Sequence, residues 1–272
     1  MSLMKITILG SGTSCGIPMI GCECEVCRSN NPKNKRLRSA AYVQTAEGAF
    51  LIDVGPDFRQ QALKHDIKRV DALFITHAHA DHIAGLDDLR IFNFIQGGSI
   101  KIFGLPHILK EIRERFDYCF NPPQIGGGVP QLELIPVEES FTLNGTNITP
   151  IPVMHGRLPI TGWRFDDFSY VTDASVIPKE SMKKLEGTQV LVLNALRHNP
   201  HSTHISLSEA VEYARKIKPE MTYFTHISHQ LEHWSTNRAL PPNARLAYDG
   251  MVIDIKKEGG VETASDRAMH NA

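Results

Sequence analysis

The chain has 272 residues, 29 Lys and Arg against 30 Asp and Glu, and a formal net charge of −1. That length suits one large or two small domains, and that balance argues against a nucleic-acid surface, whose usual mark is a basic stripe. Apolar residues make up 42% and charged residues 22%, an ordinary globular balance, and no apolar run approaches the roughly 20 residues a helix needs to cross a bilayer. No charged-then-apolar leader opens the chain, so the expected compartment is the cytoplasm.

Taken in order, MKITILGSG (4–12) reads as a strand that ends in Gly, Ser and Gly. The one basic cluster, NNPKNKRLR (30–38), predicts a solvated loop. AAYVQTAEGAFLIDVG (40–55) alternates on both sides of AEG and predicts a hairpin. DFRQQALKHDI (57–67) has helical spacing, with Phe58, Ala62 and Leu63 on one face. VDALFIT (70–76) is a buried strand and AGLDDLRIFNFI (84–95) a helix. IKIFGLP (100–106) is a strand stopped by Gly and Pro, and HILKEIRERFDYCF (107–120) is a helix. NPPQIGGGVP (121–130) is the candidate lid or linker. QLELIPV, SFTLNGTNITPIPV, ITGWRF and FSYVTDA, between 131 and 174, predict strands separated by turns, and LVLNAL (191–196) another buried strand. SLSEAVEYARKIKP (206–219) predicts a helix, with Ser206 and Glu209 in capping-box spacing and Pro219 past its end. MTYFTH (221–226) is a strand, and LAYDGMVIDI (246–255) predicts a final hairpin-like pair. There is no repeat of fixed period. Both halves mix strands with helices, which points to a single sandwich-like α/β domain over residues 4–272.

Reactive side chains fall at the ends of apolar segments. His77, His79, Asp81 and His82 follow ALFIT, His155 follows ITPIPVM, Asp173 follows SYVT and His226 follows MTYFT. Loops leaving one edge of a rigid sheet are where sites are built, so these four strand ends predict one shared site. Neutral imidazole and carboxylate are ligands for zinc, manganese or iron. Two ions about 3.5–4 Å apart can activate water and steady both the entering and leaving oxygens, and such a pair gains from a bridging carboxylate.

The five cysteines, Cys15, Cys22, Cys24, Cys27 and Cys119, are an odd number without a leader, a poor disulfide framework. Cys22, Cys24 and Cys27 place three thiolates in one tight loop, and tetrahedral zinc wants a fourth ligand, for which Cys15, Cys119 and His229 are candidates. RHNPHSTHISLSEA (197–210) sets His198, His201 and His204 ahead of a helix whose N-terminus favours an anionic neighbour. An imidazolium there could protonate a leaving alkoxide. A surface histidine in a polar loop is the alternative, and it suits His198 and His201 best.

THAHADHIAG (76–85) now carries a family resemblance. With LIDVG (51–55) before it, then the His of MHG, the Asp of VTDA and the closing THISH, it resembles the metallo-β-lactamase superfamily over about residues 5–255. The resemblance implies a four-layer αββα sandwich with two divalent ions, Mn2+ or Zn2+, at one edge of the paired sheets. It implies His77, His79 and His155 on one ion, Asp81, His82 and His226 on the other, and Asp173 bridging. Asp81 would be catalytic as well as a ligand, and Asp53 would be the outer carboxylate that orients ligating imidazoles. The C-x-C-x-x-C loop after GSGTS, the His of THISHQ and the YDGM that follows are similar to the PhnP-like phosphodiesterases. That likeness implies a structural Zn2+ on Cys22, Cys24, Cys27 and His229, and His204 as the catalytic acid with His201 as runner-up.

The activity implied is that of a metal-dependent phosphodiesterase acting on a small or cyclic phosphodiester through a metal-bridged hydroxide. The alternatives are a tRNA 3′-processing endonuclease, for which no long basic arm is visible, a thioester or lactam hydrolase of the same fold, or a metal-binding module without catalysis. Expected partners are the small substrate and a second copy in a homodimer, with nucleic acid disfavoured and no membrane.

Overall fold

The computed structural model describes residues 2–122, 128–256 and 261–263. Half of the candidate lid at 121–130, residues 123–127, lies outside the described residues. In chain order the strands are β1 (Ser2–Gly10), β2 (Ala40–Thr45), β3 (Ala49–Ile52), β4 (Ala72–Phe74), β5 (Ile100–Gly104), β6 (Leu132–Pro136), β7 (Phe141–Leu143), β8 (Thr146–His155), β9 (Leu158–Phe165), β10 (Phe168–Val171), β11 (Val190–Asn194), β12 (Met221–Thr225), β13 (Ala244–Leu246), β14 (Val252–Lys256) and β15 (Val261–Thr263). The helices are α1 (Glu25–Arg28), α2 (Phe58–Lys64), α3 (Ala80–Ile83), α4 (Arg90–Gln96), α5 (Pro106–Arg115), α6 (Asp117–Phe120), α7 (Lys179–Leu185), α8 (Leu207–Ile217) and α9 (His233–Ala239).

Among the described residues the strands form two sheets, ordered β15-β14-β1-β2-β3-β4-β5-β6 and β13-β12-β11-β10-β9-β8-β7. Each is antiparallel in one half and parallel in the other: β3 to β6 run parallel, as do β10 to β13. Three apolar layers follow from the period-two alternation of side chains. Phe50, Ile52, Ala72 and Phe74 of β3 and β4 meet Trp163, Phe165, Phe168 and Tyr170 between the sheets. Leu51, Leu73 and Ile75 point the other way, under the helices that carry Phe58, Leu86, Ile108 and Ile112. A matching layer lies outside the second sheet, around Leu191, Leu193, Ala210 and Phe224. Two sheets with helices on both outer faces make the four-layer αββα sandwich.

The sheets are stitched together directly beneath the loop that begins at His77. Trp163 Nε1 donates to the Ile75 carbonyl at 3.1 Å, and the Thr161 amide donates to the Thr76 carbonyl at 3.1 Å. Phe74 packs edge-on against Trp163 and Phe165 at ring separations of 5.1 and 4.9 Å. Truncating such a fully buried ring costs about 3–5 kcal/mol, so the floor of the loop is rigid.

Four sequence expectations change. The segment LAYDGMVIDI is not a hairpin: β13 pairs in parallel with β12 in one sheet, and β14 pairs with β1 in the other. A turn at Gly250, φ +90°, carries the chain across between sheets, and the Asp249 carboxylate fixes it by accepting from Ser11 N, Ser11 Oγ and Leu37 N. The basic cluster is not a solvated loop. Arg36 is only 1% exposed and donates to the Leu231 carbonyl, Lys35 donates to the Cys27 carbonyl, and Lys33 lies over the rings of Trp234 and Tyr248. In α2, Leu63 is 67% exposed and Gln61 is buried instead, because its amide reaches the Arg38 carbonyl at 3.0 Å. The helix of residues 107–120 breaks at Phe116, φ −114° and ψ 37°, into α5 and α6. The capping box of α8 is present, with Ser206 Oγ and the Glu209 carboxylate each serving the other's backbone amide. No helix among the described residues is long and apolar enough to cross a membrane.

Candidate metal centre

The strand ends converge as their spacing suggested, and the backbone is bent to make them do so. Asp53 after β3, Asp173 after β10 and His226 after β12 all have left-handed φ, at 60°, 58° and 54°. Aspartate and histidine are among the few side chains that tolerate this region, and such strain persists only where its surroundings enforce it. Around Asp53 the backbone is held by its own amide on the Phe74 carbonyl and by Val54 N on the His82 carbonyl. Gly55 follows, and a Cβ there would stand 2.1 Å from the Asp81 carbonyl, so only glycine lets the two loops touch. His226 is held by its neighbour Ile227, whose amide donates to Ser11 O and whose carbonyl accepts from Thr13 N.

The outer hydrogen bonds fix which nitrogen of each imidazole faces inward. Asp53 is fully buried and accepts from Thr76 N, Thr76 Oγ1 and His82 Nδ1, at 2.8, 2.8 and 2.7 Å. That leaves His82 Nε2 turned toward Asp81 and Asp173, at 3.2 and 3.3 Å. Thr76 Oγ1 gives its proton to Asp53, so at 3.1 Å it accepts from His77 Nδ1, which leaves His77 Nε2 3.0 Å from His79 Nδ1. His155 Nδ1 donates to the Thr203 carbonyl at 2.8 Å, freeing its Nε2. Holding one ring nitrogen so that the other presents its lone pair is the usual preparation of an imidazole for a metal.

His77, His79 and His155 bring ligand atoms within 4.8 Å of one another, as do Asp81, His82 and His226. Asp173 falls between them, grouped with His77 and His82 and also with His155 and His204. Burial, and next the charge of His82, push His77 well below the ordinary imidazole range, and burial with His155 lowers His79. Both rings are therefore neutral at neutral pH, as ligands must be. Burial opposes charge on Asp173, but His226 and His82 overcome it and hold the carboxyl well below its usual range. Asp81 is held low in the same way by His82, against its burial. Burial also opposes protonation of His82, yet the charges of Asp173 and Asp53 raise it well above its ordinary value. Within this cluster His82 Nε2, both ring nitrogens of His226 and His204 Nδ1 are buried without a hydrogen-bond partner. Orphaned buried nitrogens are costly, and ring nitrogens and carboxylates gathered around a common point fit divalent cations, which would take the place of the proton that Asp173 and Asp53 favour on His82.

The second cluster is made of thiols. His229 Nδ1 lies 3.2, 3.3 and 3.7 Å from the sulfurs of Cys22, Cys24 and Cys27, and the four form one group. Cys24 caps α1 and accepts from the Cys27 amide at 3.4 Å, which pulls its thiol down to about 6, while burial pushes Cys27 up to about 11. The other two sulfur candidates stay out of the group: Cys15 is exposed, and Cys119 is on α6. A Cys3His set is the donor chemistry of closed tetrahedral zinc sites.

His204 stands at the edge of the first cluster. Its Nδ1 is 3.7 Å from Asp173 Oδ1, and its ring stacks on His226 at 4.8 Å and approaches His155 at 4.7 Å. Burial, then His226, lowers it to about 3. His201 is exposed, with Nδ1 on the Thr203 amide and hydroxyl, and its ring is 5.2 Å from that of His204. His198 lines a surface groove between α8 and α9 instead. Two supporting residues escaped the sequence reading. Thr76, which anchors both Asp53 and His77, had a signal in its place immediately before the ligand run. Thr203, which holds His155 through its carbonyl from 48 residues away, had none.

This geometry has relatives. A β-lactamase superfamily domain matches residues 49–227. A Porphyromonas gingivalis protein named octanoyltransferase is 36% identical over 263 residues, covering 94% of this chain and 52% of that protein. Ribonuclease Z of Staphylococcus epidermidis is 35% identical over 219 residues, covering 77% of this chain and 61% of its own. The chain thus spans about half to three fifths of the length of these curated relatives. A solved structure described as a new diphosphatase from the PhnP family superposes with a TM-score of 0.87 at 44% identity, covering 93% of this chain and 98% of that one. With its two facing sheets, its His/Asp cluster at their edge and these likenesses, the chain belongs to the metallo-β-lactamase superfamily and, within it, to the PhnP-like branch.

Proposed function

We propose that the protein is a metal-dependent hydrolase of phosphodiesters. The observation that carries this reading is the pair of donor trios with Asp173 between them, and a further, partly buried histidine, His204, against that same carboxylate. His77, His79 and His155 would hold one divalent ion, Asp81, His82 and His226 the other, and Asp173 would touch both. When bound, the ions supply Lewis acidity to phosphoryl oxygens and lower the pKa of water. The chain's own residues do the rest. Asp53, Thr76 and the Thr203 carbonyl keep the imidazoles aimed, and the αββα floor excludes water from behind them. His204 enters as a neutral ring at neutral pH and can hydrogen-bond a phosphoryl or leaving oxygen. An anionic phosphoryl group beside it would raise its pKa toward proton transfer to the leaving alkoxide. Cys22, Cys24, Cys27 and His229 would hold one structural zinc. A small phosphodiester, open or cyclic, is the substrate class, and the cytoplasm the expected compartment.

A second reading has specific support. The 44%-identical neighbour is described as a diphosphatase, so the bond attacked here would lie between two phosphoryl groups. One assay separates the readings. With Mn2+ or Zn2+ added, turnover of bis(p-nitrophenyl) phosphate and a cyclic nucleotide supports the first, and turnover confined to a dinucleoside diphosphate supports the second. Turnover of only a β-lactam or a thioester would remove both.

A further inference from the structure

Helix α5 touches both chain segments that carry the trio His77, His79 and His155. It is fastened to the fold by the buried Ile108, Leu109 and Ile112. On another flank His107, Glu111 and Arg115 recur at spacings of four, which stacks them along one stripe. At the first end of the stripe His107 Nε2 donates to the Pro159 carbonyl at 3.0 Å. Pro159 pairs with Met154 beside the tight turn in which His155 faces Leu158, so this contact holds the hairpin that carries His155. At the other end Arg115 donates to the Ala78 carbonyl, the peptide between Ala78 and His79, and is itself held by Glu111 Oε2 at 2.8 Å. Ala78 is 4% exposed, whereas the Arg115 side chain is 48% exposed.

A fixed cation beside a site for cations is electrostatically unfavourable, and Glu111 offsets this only in part. A guanidinium in that place needs another reason to be there, and its rigid fork, which ties the loop carbonyl to a carboxylate on the same helix, provides one. We infer that α5 is a brace for one half of the centre: Arg115, fixed by Glu111, and His107 position His77, His79 and His155 and so set the affinity for one of the two divalent ions. The inference rests on the reading of this trio as a metal site. Arg115 and His107 are positioning residues, each acting through backbone and not through contact with the substrate.

The test is Mn2+ titration of the full chain carrying its zinc, followed by calorimetry and by the electron paramagnetic resonance of free Mn2+. Wild type should take up two Mn2+ per chain. Arg115→Ala should weaken one of them by about 10- to 100-fold, the range seen when partners outside the ligand set are lost, and leave the other and the zinc content unchanged. Arg115→Lys keeps the charge and can donate, but lacks the planar fork, so it should recover part of the affinity. His107→Ala should weaken the same equivalent by a smaller factor. Unchanged Mn2+ affinity with a raised KM would make Arg115 a substrate contact and overturn the brace, as would tighter Mn2+ binding, which would reduce its role to charge repulsion. If wild type itself fails to bind two Mn2+, the metal reading falls and the brace with it; if only the variants match wild type, the brace falls alone.

Discussion

The two clusters share a segment and differ in almost everything else. His226 and His229 lie three residues apart, and Ile227 between them is hydrogen-bonded on both sides to the Ser11–Thr13 loop. The Cys3His group takes three donors from six residues of chain and one from that segment. The His/Asp group takes seven donors from four separate segments, with a carboxylate shared between its halves and buried nitrogens left without partners. Three thiolates and one imidazole complete a tetrahedron, so such a set binds one ion and offers nothing further. A shared carboxylate between two trios spreads its donors over two ions and leaves room for a reacting group. On the proposed reading, the sharing of a donor separates the two: four donors would close around one ion in the thiol cluster, whereas two trios joined by one carboxylate would hold two ions side by side.

The strongest way to break the comparison is to remove the shared donor. Asp173→Ala should lower kcat/KM on a chromogenic phosphodiester by at least about 10³-fold, the upper range for losing one preorganised charge-stabilising group, while the zinc proposed for the thiol cluster should stay. Near-normal turnover would show that Asp173 is not shared. His204→Ala should cost about 10²-fold on an alkyl leaving group and only a few-fold on p-nitrophenolate, whose departure needs no proton. Equal losses on both would take the acid role away from His204. Asp53→Asn should leave the ligands in place but misdirect His82 and Thr76, and so weaken divalent-ion binding by about 10- to 100-fold. Elemental analysis after dialysis reads this directly. The smallest effect on turnover belongs to the other cluster. Cys24→Ser should lose roughly one zinc per chain, keep activity within a few-fold at low temperature, and lower Tm by about 5–10 °C, as a loss of a few kcal/mol does in a chain of this size. A collapse of activity in Cys24→Ser at low temperature would mean that the shared segment transmits between the clusters more strongly than its hydrogen bonds indicate.

Much of this was legible because it is local. Buried strands announce themselves by apolar runs, and His77, His79, Asp81 and His82 are dense enough to stand out wherever the loop folds. The same holds for Cys22, Cys24 and Cys27, and for the α8 cap, where Ser206 and Glu209 need only each other. The misreadings were long-range. Val252–Lys256 alternates like a hairpin partner of the preceding segment, but its backbone pairs with β1, more than 240 residues earlier. Arg36 reads as solvated from its neighbours, yet it threads beneath the loop of Leu231. Gln61 replaces Leu63 in the interior, where its amide nitrogen donates to the Arg38 carbonyl.

Strand periodicity and the dense runs of His, Asp and Cys are properties of short windows of chain and are legible in the sequence alone, while the αββα class and the full donor sets are what the family resemblance carried by those motifs implies. Tertiary structure alone decided which ring nitrogen of His77, His82 and His155 faces inward, and that His204 lies against Asp173 while His201 stays outside. It also decided that Asp53 holds His82 and that α5 reaches Ala78 and Pro159. Each of these depends on a hydrogen bond or packing contact between residues far apart in sequence, whose distance and direction no local pattern encodes.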